Sequence, residues 1–106
     1  MGARLARVFL SAWEDPSARA RLQAVLRSAL ADPERAALLR EFVTTQLFGR
    51  VAPLLSGPDP ELRVNLAAAQ LLGVAVMRYL LEIEPIASAS LEELVERVTP
   101  ALDRYL

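Results

Sequence analysis

Ser11, Ser28, Thr44 and Thr45 carry hydroxyl groups able to attack an electrophile, but this 106-residue chain holds no histidine and no lysine to activate them. The missing histidine removes the commonest general base and metal ligand. The missing lysine removes every Schiff-base mechanism. Cysteine is also absent, so there is no thiolate nucleophile, no disulfide framework and no zinc knuckle. Thirteen Asp and Glu residues remain, and no spacing singles out a catalytic carboxylate pair. Neither catalysis nor a resident metal or cofactor is expected.

The amides are the better candidates for a site. Gln70 lies in NLAAAQLLGVAVMRYLLEIEP (Asn65–Pro85), among apolar neighbours, and a buried amide needs partners. Gln46 is expected to point inward in the same way. Around them the chain offers Phe9, Trp13, Phe42, Phe48, Val74 and Met77. An apolar wall with a few polar anchors is what a small-molecule pocket requires. Aromatics at helical spacing also fill ordinary cores, and both readings stand. Arg78 is expected to pair with Glu82 four residues on, or to cap a neighbouring helix end, rather than to bind an anion. Glu92, Glu93 and Glu96 suit the positive end of a helix dipole and need no metal.

The elements that must hold these residues are marked by their starts. Asp15-Pro16, Asp32-Pro33 and Asp59-Pro60 repeat one device. The Asp side chain accepts from free N–H groups at a helix start, worth about 1 kcal/mol. Proline at the first helical position lacks an N–H that would be unbonded anyway. Ser90 and Glu93 in SLEE have capping-box spacing. Five helices follow, over about 3–14, 16–31, 33–55, 60–84 and 91–105. Gly49 and Pro53 should loosen the third, and Pro100 should kink the fifth at the carbonyl of Glu96. No strictly alternating run argues for a strand. The fold class is all-α, an orthogonal or antiparallel five-helix bundle in one domain.

Hydrophobic residues make up 54% of the chain and the net charge is −1, so no overall field favours nucleic acid or an anionic membrane. No basic-then-apolar signal segment opens the sequence, and a cytoplasmic location fits. The fourth helix is the anomaly. Leu62, Leu66, Ala69, Leu72, Val76, Leu80 and Ile83 form one stripe, while Ala67, Leu71, Val74 and Ala75 lie largely on the other side. The run is too short and too charged for a membrane span. A second copy is the favoured cover, against the alternative of complete burial within one subunit. Four exposed Leu or Val side chains carry roughly 6–12 kcal/mol of gross transfer energy. The first stripe is therefore expected at a four-helix dimer interface, together with Leu91, Leu94, Val95, Val98, Leu102 and Tyr105 of the fifth helix.

The order RLARVFLSAWEDP, LRSALADPE, LLREFVTTQLFGRVAPLLSGPDPELR and AAAQLLGVAVMRYLLEIEPIASASLEELVERVTPALDRYL resembles the C-terminal regulatory domain of TetR-type transcriptional repressors, in the form common among actinobacteria. The resemblance runs over almost the whole chain and rests on pattern rather than on a short motif. It implies a homodimer whose last two helices form the dimer bundle and whose interior senses a small apolar or amphipathic effector. It also implies operator binding only through an N-terminal helix-turn-helix domain, which is expected to be missing from residues 1–106. The alternative is a helical homodimerisation module with no small-molecule ligand.

Overall fold

Asp15, Asp32 and Asp59 each stand directly before a helix that opens on proline in the computed structural model, which describes residues 1–106. The helices are α1 (Gly2–Glu14), α2 (Pro16–Ala31), α3 (33–54), α4 (60–80) and α5 (Leu91–Tyr105). Asp15 accepts from the backbone N–H of Ala18 at 3.0 Å, and Asp32 from that of Glu34 at 3.0 Å. Ser90 Oγ accepts from the N–H of Glu93 at 3.1 Å. Asp59 departs from the pattern. It sits in the left-handed region at φ 52 and ψ 50, and its side chain makes no cap bond. Gly57, at φ 90, has already turned the chain there, and Asp is one of the few side chains that tolerates the conformation which follows.

α3 and α4 both change pitch. α3 runs as an α-helix over Pro33–Phe42, widens to a π-helical turn over Val43–Phe48, and closes through Gly49–Val51 and a 3₁₀ turn at Ala52–Leu54. The loosening expected at Gly49 thus begins already at Val43. Thr45 Oγ1 donates to the carbonyl of Glu41 at 2.8 Å, competing with the backbone ladder at that turn. α4 is α-helical over Pro60–Ala75 and π-helical over Val76–Leu80. It stops short of the expected end at Glu84. Arg78 donates from Nη1 to the carbonyls of Ile86 and Ala89 at 2.8 and 2.6 Å, which folds the following chain back beside the helix. Glu82, at φ 52, makes the reversal. α5 continues through Pro100, where the proline and Glu96 face solvent and water can take the freed carbonyl.

The core is a triangle of α1, α4 and α5. Ala6, Leu10 and Trp13 of α1 meet Ala67, Leu71, Val74, Ala75 and Tyr79 of α4, and Leu94, Val95, Val98 and Leu102 of α5. Leu10 and Leu102 are the largest fully buried side chains. α1 packs most extensively on α5. The backbone N–H of Gly2 donates to Asp103 Oδ1 at 2.9 Å, and a Cβ at Gly2 would collide with that oxygen. Arg7 and Glu92 form an exposed bidentate pair between the same helices, which lowers the Glu92 pKa through that hydrogen bond.

α2 buries no residue and α3 only Ala52 near its end, and α2 leans on the triangle through Leu22 and Leu26. The result is a slab of 36 × 36 × 19 Å with a radius of gyration of 14.1 Å. A compact chain of this length would have about 13 Å. Only 15 of 106 residues are buried, so much apolar surface is left over.

The faces of α4 answer the question its sequence poses. Ala67, Leu71, Val74 and Ala75 turn inward, and the stripe containing Leu62 and Leu66 turns away from the core. For α5 the expected interface residues are placed differently. Leu94, Val95, Val98 and Leu102 are buried within the protomer, because α1 and α4 already cover that stripe, while Leu91 and Tyr105 are half-buried. No helix is long and apolar enough to cross a membrane.

Candidate functional site

α1 carries Phe9 and Trp13 one turn apart, with ring centroids separated by 6.3 Å and planes tilted by 51°. Leu22, Val25 and Leu26 of α2 face them. α3 adds Leu38, Leu39, Phe42, Val43, Leu47 and Phe48, and α4 adds Asn65, Ala68, Ala69 and Leu72. Together they line a cavity of about 720 Å³, within the size range of small-molecule sites. Two local features make the space. The small Ala68 and Ala69 leave α4 without bulk on this side. The widened turn of α3 brings Val43, Leu47 and Phe48 to one wall. Leu38, Phe42 and Leu47 are exposed, so the cavity opens along α3. Fourteen of its fifteen lining residues are hydrophobic, and Asn65 is the exception.

Trp13 also connects this cavity, through its neighbour Tyr79, to a polar cleft. Its ring stacks on Tyr79 with centroids 5.6 Å apart and planes 14° apart. The guanidinium groups of Arg19 and Arg78 lie 5.5 and 5.3 Å from the Tyr79 ring centroid, in cation–π contact. Arg78 Nη2 also donates to Glu14 Oε1 at 2.9 Å, tying the end of α1 to the end of α4. Gln23 Nε2 donates to the Tyr79 carbonyl at 3.3 Å and so attaches α2. Burial works against the Arg78 charge, yet the hydrogen-bonded Glu14 carboxylate and the neighbouring Tyr79 prevail and its pKa rises. Burial pushes the Tyr79 phenol above its usual range. Glu82, Glu84 and Ser88 complete the cleft of about 460 Å³. The indole Nε1 of Trp13 is buried without a hydrogen-bond partner.

The residues expected at a ligand site separate into three groups. Phe9, Trp13, Phe42 and Phe48 stand on the cavity wall. Val74 is in the core. Gln46, Gln70 and Met77 are exposed instead of inward. Gln46 Oε1 accepts from Arg50 Nη2 at 3.1 Å on the surface of α3. Gln70 falls on the solvent side of α4 with Leu66 and Met77, because the inward arc is already filled by Ala67, Leu71 and Val74. Of the stripe expected at a dimer interface, Ala69 and Leu72 line the cavity, Leu62 and Leu66 are exposed, and Val76 and Leu80 are half-buried. The polar residue missed in the sequence is Asn65. Its signal was the spacing Asn65, Ala68, Ala69 and Leu72, one face of a helix with a single amide in it. Arg78 takes Glu14 and two loop carbonyls as partners, not Glu82. No group of His, Cys, Asp or Glu is placed to hold a metal ion.

The chain is thus an all-helical domain with an apolar cavity among its first four helices and further apolar side chains exposed outside it. Residues 1–106 match the family described as the tetracyclin repressor-like C-terminal domain, and the chain belongs to the TetR family of transcriptional regulators. The crystal structure of a TetR-family regulator from Streptomyces coelicolor A3 is similar, with a TM-score of 0.72 and 36% identity over 98% of this chain and 68% of that one. No curated protein matches.

Proposed function

We propose that this chain is the effector-binding and dimer-forming domain of a TetR-type repressor, controlling operator binding by a helix-turn-helix domain. The observation that carries the reading is the open apolar cavity of about 720 Å³ lined by α1–α4. Its wall includes side chains such as Leu38 and Phe42 that the protomer leaves exposed, and a ligand that covers them gains apolar burial. The wall formed by Phe9 and Trp13 belongs to α1, which also packs on α5. An effector that prefers one placement of α1 shifts the population of domain arrangements, and the pair of operator-reading heads shifts with it.

The dimer surface in this reading is the outer side of α4. Leu62 is 57% exposed, Leu66 41%, Met77 41% and Leu81 61%. Gly73 lies between them with open space where a side chain would project, which permits a partner helix to approach closely. Such a row rarely stays bare on a monomer.

A thermal-shift screen with apolar and amphipathic metabolites tests the effector half of the proposal, since a ligand that binds the folded state raises its stability by mass action. A concentration-dependent rise in melting temperature is expected, and Ala69→Phe, which fills the cavity from α4, is expected to abolish it. No rise with any compound would favour a dimerisation module without a ligand.

A further inference from the structure

A second cavity of about 280 Å³ lies behind the first, and every one of its twelve lining residues is hydrophobic. It reaches from Leu5 and Val51 to Leu102 and Leu106 at the end of α5. The two cavities share four wall residues: Phe9, Leu47, Phe48 and Ala68. These side chains form a common partition, and their displacement would open a constriction that makes the two cavities lobes of one site. The π-helical turn of α3 supplies Leu47 and Phe48 to that constriction, and Ala68 keeps its α4 side narrow in bulk.

Neither lobe offers a charged residue. An ionised ligand would lose its hydration with nothing to replace it. The one polar lining residue is Asn65 of the larger lobe, whose side chain is also exposed to solvent. Its Nδ2 donates to the carbonyl of Glu61 at 2.8 Å. That bond fixes the amide, because a carbonyl can only accept, and leaves Oδ1 free as an acceptor. A ligand meeting Asn65 therefore gains most by bringing a donor.

We infer that the occupant is an uncharged, elongated lipophile whose chain passes the constriction into the second lobe and whose hydroxyl or N–H group meets Asn65. This rests on the larger lobe being the effector site. A compact ligand fills the first lobe alone; a chain gains further apolar burial for each methylene that enters the second.

The test is a series of dissociation constants on the 106-residue chain for the 1-alkanols from hexanol to dodecanol, the carboxylates of the same lengths, the corresponding methyl ethers, and the compact 1-naphthol. Affinity is expected to rise by up to about fourfold per methylene across the series. Carboxylates should bind at least tenfold more weakly than the matching alkanols. Val51→Trp, which fills the second lobe from α3 and is no wall residue of the first, should reduce dodecanol to the affinity of hexanol and leave hexanol unchanged. Val8→Trp, at an exposed wall residue of the same second lobe, should do likewise and guards against misfolding of the first variant. Asn65→Leu should weaken the alkanols roughly threefold to tenfold and leave their methyl ethers unchanged. Binding of 1-naphthol together with an alkanol series that is flat beyond hexanol, or carboxylates equal to alkanols, would overturn the inference and leave the effector site standing. No binding of any probe would overturn both.

Discussion

Trp13 and Tyr79 stack face to face at 5.6 Å, and through them the apolar cavity and the polar cleft share one wall. Trp13 faces the cavity on α1; Tyr79 lies in the π-helical end of α4 between two guanidinium groups. Arg78 beside it holds Glu14 and the loop carbonyls of Ile86 and Ala89. Displacement of Trp13 by a ligand would therefore press on the residues that fix the far ends of α1 and α4.

Arg78→Met keeps most of the side-chain volume and removes four of these contacts. Glu14 and two carbonyls lose their donor, in a position where the Arg78 side chain is only 10% exposed. A loss of about 2–3 kcal/mol is expected, less than for a fully buried pair because Glu14 is partly solvated. Chemical denaturation reads the loss, and amide exchange should accelerate selectively over residues 81–90. Uniform acceleration over the whole chain would contradict a local clamp.

Tyr79 gives the domain a signature in alkali. Its folded-state pKa is raised above 10.0 by burial, so the neutral phenol is favoured in the native protein. The unfolded chain ionises first. The contribution is therefore complete below pH 10 and is lost as pH rises through the folded value. Phenolate absorbance should show an ionisation above the ordinary tyrosine range that Tyr79→Phe removes. An unchanged upper limb in that variant would contradict the burial.

The three Asp-Pro starts should respond unequally. Asp15→Ala and Asp32→Ala each remove a side-chain cap and should cost about 1 kcal/mol. Asp59 makes no such bond and occupies a left-handed conformation. Asp59→Gly relieves that conformation while loosening the unfolded chain, so a change within about 0.5 kcal/mol is expected. Thermal melts of the three variants decide it, and an equal loss at all three would show that Asp59 caps after all.

Local chemistry carried the helix starts. Asp15, Asp32 and Ser90 bond the N–H groups their spacing assigns them, and α2 and α5 have the expected limits. The end of α4 was not legible, because it depends on Arg78 reaching carbonyls eight and eleven residues away in a loop. The pitch change in α3 was legible only in part: Gly49 and Pro53 announce looseness, while Thr45 starts it earlier. The aromatics of the cavity stood out by size, but the amides did not sort by sequence. Gln70 and Asn65 are both exposed on one helix among similar neighbours, and a rotation of little more than a third of a turn puts Asn65 on the cavity wall and Gln70 off it. Which arc of α4 meets α1 and α5 is a tertiary choice that a helix apolar nearly all round does not encode.

The outer side of α4 is the place to test association. Leu66→Arg, alone or with Leu62→Arg, alters side chains that the protomer leaves exposed. Sedimentation equilibrium is expected to show a dimer for the unaltered chain at micromolar concentration and a folded monomer for the double variant. A monomer in both cases would remove this face from the dimer proposal.

The most direct measurement uses the fact that Trp13 is the only tryptophan and lines the cavity. Titration with 8-bromo-1-octanol, whose bromine quenches indole fluorescence on contact, should give saturable quenching in the unaltered chain and none above the collisional background in Ala69→Phe. Quenching that rises linearly without saturation, or that is identical in both proteins, would mean that no lipophile occupies the space between α1 and α4, and the sensing role would fail.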